Sequence, residues 1–335
     1  MKTRFGNIHI ANNQMFSVHP NGFGISPYLQ EKLVFLGQFE VYTQASELAQ
    51  TMLGVAVCPS QIDRLTSHYG AAIEADLQEP TLPAQPLPQP TGVVYAQADG
   101  AMLLTEEGYK EAKLGRIFAA TALKASVVEE RGGRIESSVF VGHLGTAADF
   151  GVKLAAQLNA YKARGSDLVF VSDGAIWLGQ MMTKSYPDAT LILDIYHAME
   201  HIGQVGKAAL GVGKAASAWF SKQRNLLLDS CLNEVLENIR ILAIDLTLRD
   251  SVCSYLASNQ YRMDYKSYRE RGLLIGSGAI ESAHRTVMQR RLKRSGQRWS
   301  IRGAQRVLNL RVCCMSNRWE LVRQQIEPYN YDVGA

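Results

Sequence analysis

Nothing in this sequence calls for disulfides or structural zinc. Its five cysteines, Cys58, Cys231, Cys253, Cys313 and Cys314, include no CxxC pair and no histidine companions at zinc spacing. A zinc knuckle and a disulfide framework are both unsupported, and a reducing cytoplasm is the expected setting. Between Met1 and Ile10 there is no apolar stretch of the kind a secretory signal needs, and no uninterrupted apolar run is long enough to span a bilayer. A soluble protein with no membrane partner is expected. No Gly-x-Ser-x-Gly elbow supports acyl transfer. Lys207 and Lys214 lie near glycines, but the phosphate-cradling glycine loop that ends in Gly-Lys-Ser/Thr is missing, so ATP is not implied.

What is present is ordinary globular composition. The 335 residues are 47% hydrophobic and 20% charged, enough for a sizeable core and two or three structural units. The net charge of +4 is modest but unevenly placed, because basic residues crowd between Arg285 and Arg311. That asymmetry points to a polyanionic partner.

Within residues 1–26, weak alternation of Phe5, Ile8 and Ile10 suggests a small hairpin. Residues 27–79 turn helical: Leu29, Leu33, Val34, Leu36 and Phe39 recur at helical spacing, as do Ala45, Leu48, Ala49, Met52 and Leu53. Gly54 and Pro59 break the run, and Ser60 reads as the N-cap of a helix carrying Ile62, Leu65, Tyr69 and Ile73. Short helices around such a turn, with Gln61 and Arg64 exposed, suit a helix-turn-helix in a DNA groove, or serve only as a packing unit. Five prolines in residues 80–91 make an extended linker.

An α/β layout follows. Val93 to Asp99, Phe118 to Ser126 and Ile135 to Val141 read as three strands of an antiparallel meander. Ala147 to Ala163 reads as a helix, and Leu168 to Val171 as a strand buried on both faces. A helix over Trp177 to Thr183 and a strand at Thr190 to Asp194 complete residues 92–197, with the last strands parallel. Residues 198–271 are almost wholly helical, and a further helical stretch fills 272–327, followed by a tail at 328–335.

Asp99 and Asp173 each close a strand and precede a glycine, which puts them where the crevice of an α/β sheet opens. Glu281 follows Gly276-Ser277-Gly278, with Ser277 as candidate N-cap, near the positive end of a helix. At helical spacing Glu281, His284, Met288 and Leu292 share one stripe, so the carboxylate is expected to face the sheet and to need a partner there. Magnesium accepts such hard oxygen donors, and paired ions stabilise both oxygens of an in-line displacement at phosphorus. Singly, an Asp-Gly pair is also just a turn, and a helical glutamate beside an arginine is also just a solvated ion pair.

The strings QADG (Gln97 to Gly100), VSDGAIWL (Val171 to Leu178), LDIYHAMEHI (Leu193 to Ile202) and GLLIGSGAIESAHRTVMQRRLKRSGQRW (Gly272 to Trp299) resemble the DDE transposases of ISKra-type bacterial insertion sequences. The likeness spans about Pro27 to Arg323, and Gly-Ser-Gly-Ala-Ile-Glu-Ser-Ala-His-Arg is its most specific part. It implies a ribonuclease-H-like mixed-sheet catalytic core with an all-helical insertion before the last acid. It also implies Asp99, Asp173 and Glu281 as catalytic carboxylates holding two Mg2+ ions, with Mn2+ able to substitute. Double-stranded DNA, as transposon ends and target, would be the substrate, and a homodimer or larger homo-oligomer the working form. Asp194 and His197 match the D-x-x-H of similar transposases; they and His284 either support the metal site or brace the helices. The cysteine-rich segment that family members can carry upstream is missing, so recognition of DNA ends is expected to be reduced or assigned differently.

Arg285, Arg290, Arg291, Lys293, Arg294, Arg298 and Arg302 follow the third acid with Trp299 among them. Arginine clamps phosphate and tryptophan stacks on unpaired bases. The plain alternatives are a solvated charged face and, for Trp299, a core anchor. At the level of function, the alternatives are a nuclease without strand transfer and an inactive DNA-binding relative.

Overall fold

The computed structural model describes residues 2–3, 6–7, 23–78, 92–125, 133–163 and 165–326. The proline linker 80–91, the tail 328–335 and most of 1–26 lie outside them. In that first segment β1 (Lys2–Thr3) pairs antiparallel with β2 (Gly6–Asn7). Helices α1 (Pro27–Phe39), α2 (Tyr42–Leu53), α3 (Pro59–Ala72) and the short α4 (Glu74–Gln78) follow. Helix α3 starts two residues earlier than its sequence suggests: Pro59, with its fixed φ, occupies the first turn, and Cys58 rather than Ser60 is the N-cap.

The centre of the molecule is a five-stranded mixed sheet in the order β7-β4-β3-β8-β9. Its strands are β3 (Val93–Thr105), β4 (Gly108–Ala119), β7 (Val139–Leu144), β8 (Asp167–Ser172) and β9 (Thr190–Leu193); a separate short pair, β5 (Leu123–Ala125) and β6 (Gly133–Ile135), lies between β4 and β7 in sequence. Strands β3, β4 and β7 are antiparallel, whereas β3, β8 and β9 run parallel. Helices α5 (Ala147–Tyr161) and α6 (Ile176–Ser185) make the crossovers.

The meander is therefore present with different boundaries. Strand β3 does not stop at Asp99 but continues to Thr105, and β4 returns at once through Glu106 and Glu107. The Thr105 hydroxyl closes this turn, donating to Gly108 O (2.6 Å) and accepting from Glu107 N (3.2 Å). Phe118 is the end of β4 rather than the start of a strand, and Val139–Leu144 replaces the expected Ile135 to Val141. Lys110, Glu111, Lys113 and Arg116 break the apolar alternation on which the sequence reading depended, and pairing with β3 overrides that local signal.

Alternation along β3 divides the interior. Val94, Ala96 and Ala98 pack against Phe150, Leu154 and Leu158 of α5 and Leu178 and Met182 of α6. Tyr95, on the opposite face, joins Val169, Val171 and Ile192 under the helical insertion. That insertion comprises α7 (Ile195–Leu210), α8 (Lys214–Leu228), α9 (Leu232–Arg240), α10 (Leu246–Ser258), a 3-10 turn at Gln260–Arg262 and α11 (Tyr265–Glu270). Farther along this face, Leu103, Leu114 and Phe140 meet the C-terminal helices. These are α12 (Gly278–Ala283), a π-helical stretch at His284–Gln289, α13 (Arg290–Leu292), α14 (Ile301–Met315) and α15 (Glu320–Ile326).

The N-terminal helices share their core with the far end of the chain. Leu33, Val34, Leu65 and Tyr69 form one buried cluster with Leu310, Cys313, Val322 and Ile326. No helix of the described residues is long and apolar enough to cross a membrane. Because both ends of the chain build this cluster, Leu65→Ala is expected to cost about 2–5 kcal/mol. It should also speed hydrogen exchange in α14 as much as in α3; acceleration confined to α3 would show that the N-terminal helices open independently.

Candidate active site

The site forms where the inner face of β3 meets the segment from Leu274 to His284. Successive inward residues of β3 each find partners in it. Leu274 N donates to Tyr95 Oη at 3.2 Å. Gln97, 1% exposed, donates through Nε2 to Gly276 O (3.3 Å) and accepts at Oε1 from Ile280 N (3.0 Å). Asp99 lies 3.3 Å from His284 Nε2. Opposite Gln97 on β4 is Arg116, whose Nη1 donates to Ala279 O (2.8 Å) and Nε to Ser138 Oγ (2.9 Å). Burial, with Phe118 and Phe140 against the guanidinium, pushes Arg116 down to about 10. Two buried polar side chains thus clamp the entry to α12 onto the sheet.

Asp99 and Asp173 come together as neighbours. Gln97 pairs with Val171 at the end of the parallel ladder; Asp99 follows two residues on in β3, Asp173 stands one residue beyond the end of β8, and the charge of Asp99 acts on Asp173. Parallel neighbours are spaced about 4.8 Å apart. Asp99 Oδ1 accepts from Gly100 N (2.7 Å), and Asp173 Oδ1 from Ala175 N (3.2 Å). Burial, and after it the charge of Asp99, push the Asp173 carboxyl above its ordinary range against that Ala175 bond.

Glu281 is placed differently from expectation. Its helix is held against β3, but its side chain is exposed and makes no hydrogen bond or ion pair among the described residues. The buried stripe consists of Ile280, Ala283, His284, Val287 and Met288. Glu281 is about 100° around the helix from Ile280, on the flank, and His284 takes the position over Asp99. Ser277 precedes α12 without capping it, because its hydroxyl bonds to Asp194 instead. Among the described residues no three His, Cys, Asp or Glu side chains are grouped to hold a metal ion. Asp99 and Asp173 are brought together; Glu281 is brought to the same end of the sheet without joining them.

Asp194 and His197 make a second polar centre beside the first. Asp194 is fully buried, caps α7 by accepting from Tyr196 N (2.8 Å), and takes bonds from Ser277 Oγ and His197 Nδ1, the latter at 2.9 Å. Burial alone would raise this carboxyl, but His197, Ser277 and Tyr196 outweigh it and hold it below the usual range. The same bond to Asp194 is the main reason His197 is raised to about 9, with Asp173 and Asp99 adding to it. His284 is the opposite case: burial lowers it despite Asp99, and neither ring nitrogen has an aligned hydrogen-bond partner. Gly276 is needed for this packing, since a Cβ there would stand 2.6 Å from the Tyr196 ring.

The basic stretch divides. Arg291, 1% exposed, donates to Gly37 O (3.0 Å) and is flanked by Tyr42 and Trp299, so it belongs to the interior and leaves the DNA-facing set. Trp299 is half-buried and donates to Leu292 O (3.0 Å), the core-anchor arrangement. Arg294 pairs with Glu40, and Arg298 holds the carbonyls of Thr105 and Glu106. Arg290 is exposed over Phe39. Arg285, Lys293 and Arg302 are exposed, as is Arg64 on α3; Gln61 is half-buried.

The sequence reading gave no role to Gln97, Arg116 or Tyr95. Their signal was an amide and a guanidinium inside apolar strands, each demanding a buried partner.

No family model matches the chain. It is similar to a protein of Streptococcus gallolyticus described as "UPF0236 protein in vanSb 3'region", with 25% identity over 320 residues that cover 91% of this chain and 67% of that protein.

Two measurements test this geometry. Gln97→Leu strips partners from Ile280 N and Gly276 O, so unfolding free energy should fall by about 1–3 kcal/mol. His197 titrates at about 9 when folded against 6.5 ordinarily, so its bond stabilises fully below 6.5 and the gain is lost as pH rises through about 9. The Tm difference between wild type and His197→Gln should therefore shrink across that window; a constant difference would exclude the pair as its source.

Proposed function

We propose that this protein is a metal-dependent enzyme that cuts and rejoins DNA, a DDE-type transposase with a ribonuclease-H-like core. The observation that carries the reading is the pair Asp99 and Asp173, the first on β3 and the second just past the end of the adjacent parallel strand β8, close enough for the charge of one to act on the other. Support also comes from the strand order, with an antiparallel meander on one side of β3 and parallel strands on the other. The helical insertion falls between β9 and α12, before the third acid, as in the family that the motifs resemble.

The donor set fits a magnesium ion in part. Asp99 and Asp173 offer hard oxygens, and burial first, then the charge of Asp99, raises the Asp173 carboxyl, a penalty that a cation bound between the two acids would offset. Magnesium commonly takes only one or two protein carboxylates. Asp99 and Asp173 would hold the first ion, and Glu281, at the same end and without another partner, would serve the second. Bound ions, Mg2+ or Mn2+, supply Lewis-acid stabilisation of the entering and leaving oxygens at phosphorus.

The remaining roles belong to the chain itself. Gln97 and Arg116 hold the first turn of α12 against β3. Asp194 keeps His197 protonated and turned toward the acid pair, where an imidazolium attracts a phosphate. Exposed Arg285, Lys293 and Arg302 neutralise DNA backbone downstream of α12, and Gln61 with Arg64 on α3 offers a second DNA contact. Hydrolysis would release a 3′-hydroxyl that attacks target DNA, and the need to handle two ends together calls for a dimer or larger assembly.

The flank position of Glu281 favours one competing reading, a DNA-binding relative that does not cut. Cleavage and strand transfer on the DNA flanking the gene, with Mg2+, separates the two. Asp99→Asn and Asp173→Asn should each lower the rate by roughly a hundredfold or more, and Glu281→Gln comparably, with DNA affinity retained. Unchanged cleavage in Asp173→Asn, or none in wild type with either ion, would reject the proposal.

A further inference from the structure

A wide cleft beside Asp173 has no part in the roles assigned so far. It lies between α6 and the end of α10, encloses about 810 Å3, and is walled by Gly174, Lys184, Tyr255, Asn259, Tyr261 and Arg262 among others. This is within the range of about 300–1,000 Å3 usual for ligand sites. One end is continuous with the acid pair, because Gly174 directly follows Asp173. The Tyr255 ring packs so closely on Gly174 that a Cβ would stand 2.3 Å from it.

Its chemistry is one-sided. Lys184 and Arg262 are the charged residues of the wall, and no acid lines it. Arg262 is only 3% exposed, yet no carboxylate lies within ion-pair distance among the described residues. Its Nη1 donates to Ser172 Oγ (3.4 Å), Nη2 bonds Asn259 Oδ1, and Nε has no partner. Asp173 is near enough to feel its charge but forms no ion pair with it, and a guanidinium so withdrawn from water is costly unless an anion completes it. Tyr255 is half-buried, and Tyr261 is mostly exposed at the rim. Cationic groups beside aromatic faces are what a single nucleic-acid strand requires, one for phosphate and the other for bases.

We propose that this cleft is a nucleotide subsite, taking one unpaired nucleotide of the DNA strand next to the bond cut at Asp99 and Asp173. The phosphate lies toward Arg262 and Lys184, and the base against the exposed Tyr261, since the Tyr255 ring is already packed between His201 (centroids 4.0 Å apart) and Gly174. A paired nucleotide is excluded because its base faces are already stacked, so the subsite selects a strand that has been melted or flipped out. The inference rests on the nucleic-acid reading above and adds to it the form of the substrate at the scissile position.

The test uses the full chain in EDTA, so that binding is read without chemistry. A single-stranded oligodeoxynucleotide carrying iododeoxyuridine is irradiated on the protein and the adduct mapped by mass spectrometry. The expected adduct lies on Tyr261. Binding of the same strand by fluorescence anisotropy should weaken by about tenfold in Lys184→Ala/Tyr261→Ala, at unchanged Tm. Both positions are solvent-facing, so the variant avoids the folding risk of replacing Arg262. Adducts confined to residues 285–302, or affinity within about twofold of wild type, would overturn the subsite. The two proposals fail separately. An adduct at Tyr261 in a protein that never cleaves DNA removes the transposase and keeps the subsite, whereas undiminished cleavage by the double variant keeps the reaction and removes the subsite.

Discussion

The arrangement depends on a buried polar clamp. Gln97 and Arg116 lie side by side on β3 and β4, in a region that would otherwise be apolar, and both are buried. Leaving such groups unpaired costs about 1–3 kcal/mol each, so they hold whichever backbone satisfies them. That backbone is Gly276 to Ile280. The clamp selects a register as well as a contact: with Gln97 on Gly276 and Ile280, the next inward residue of β3, Asp99, meets His284.

Asp194 extends the same logic to the insertion. A carboxylate with no exposure joins the first turn of α7, through Tyr196 N and the His197 ring, to Ser277 before α12, so two segments far apart in sequence meet at one charge. Ile195 N to Ile275 O (3.0 Å) repeats the connection through the backbone. Displacing the insertion would therefore disturb the helix carrying Glu281, and with it the wall that α10 contributes beside Asp173. The nucleotide cleft and the acid pair are consequently two parts of one crevice, one side built by the sheet and the other by the insertion.

The cationic segment shows how one composition serves two purposes. Arg291 and Arg311 go inside and hold carbonyl and amide oxygens near the end of α1, Gly37 O and Gln38 Oε1, where the dipole of a helix terminus favours positive charge. Arg285, Lys293 and Arg302 remain in water. Residue type does not distinguish the groups, since both are arginine-rich and both follow α12. Only the packing of α1 against α13 and α14 decides which guanidinium is consumed by the fold.

Much of the layout was legible from local pattern. Continuous apolar runs marked β8 and β9, helical spacing marked α1 to α3, α5 and the insertion, and Asp-Gly pairs flagged the two acids that became neighbours. These signals survive because each arises from residues close in sequence. The long β3–β4 hairpin escaped notice because its charged outer half is stabilised by cross-strand pairing, which one strand's composition does not reveal. The outward placement of Glu281, the burial of Arg291 and the unpaired Arg262 in the cleft were decided by tertiary structure alone. In each case the side chain's environment is supplied by a segment remote in the chain, and partner, burial and charge balance exist only once that segment has docked.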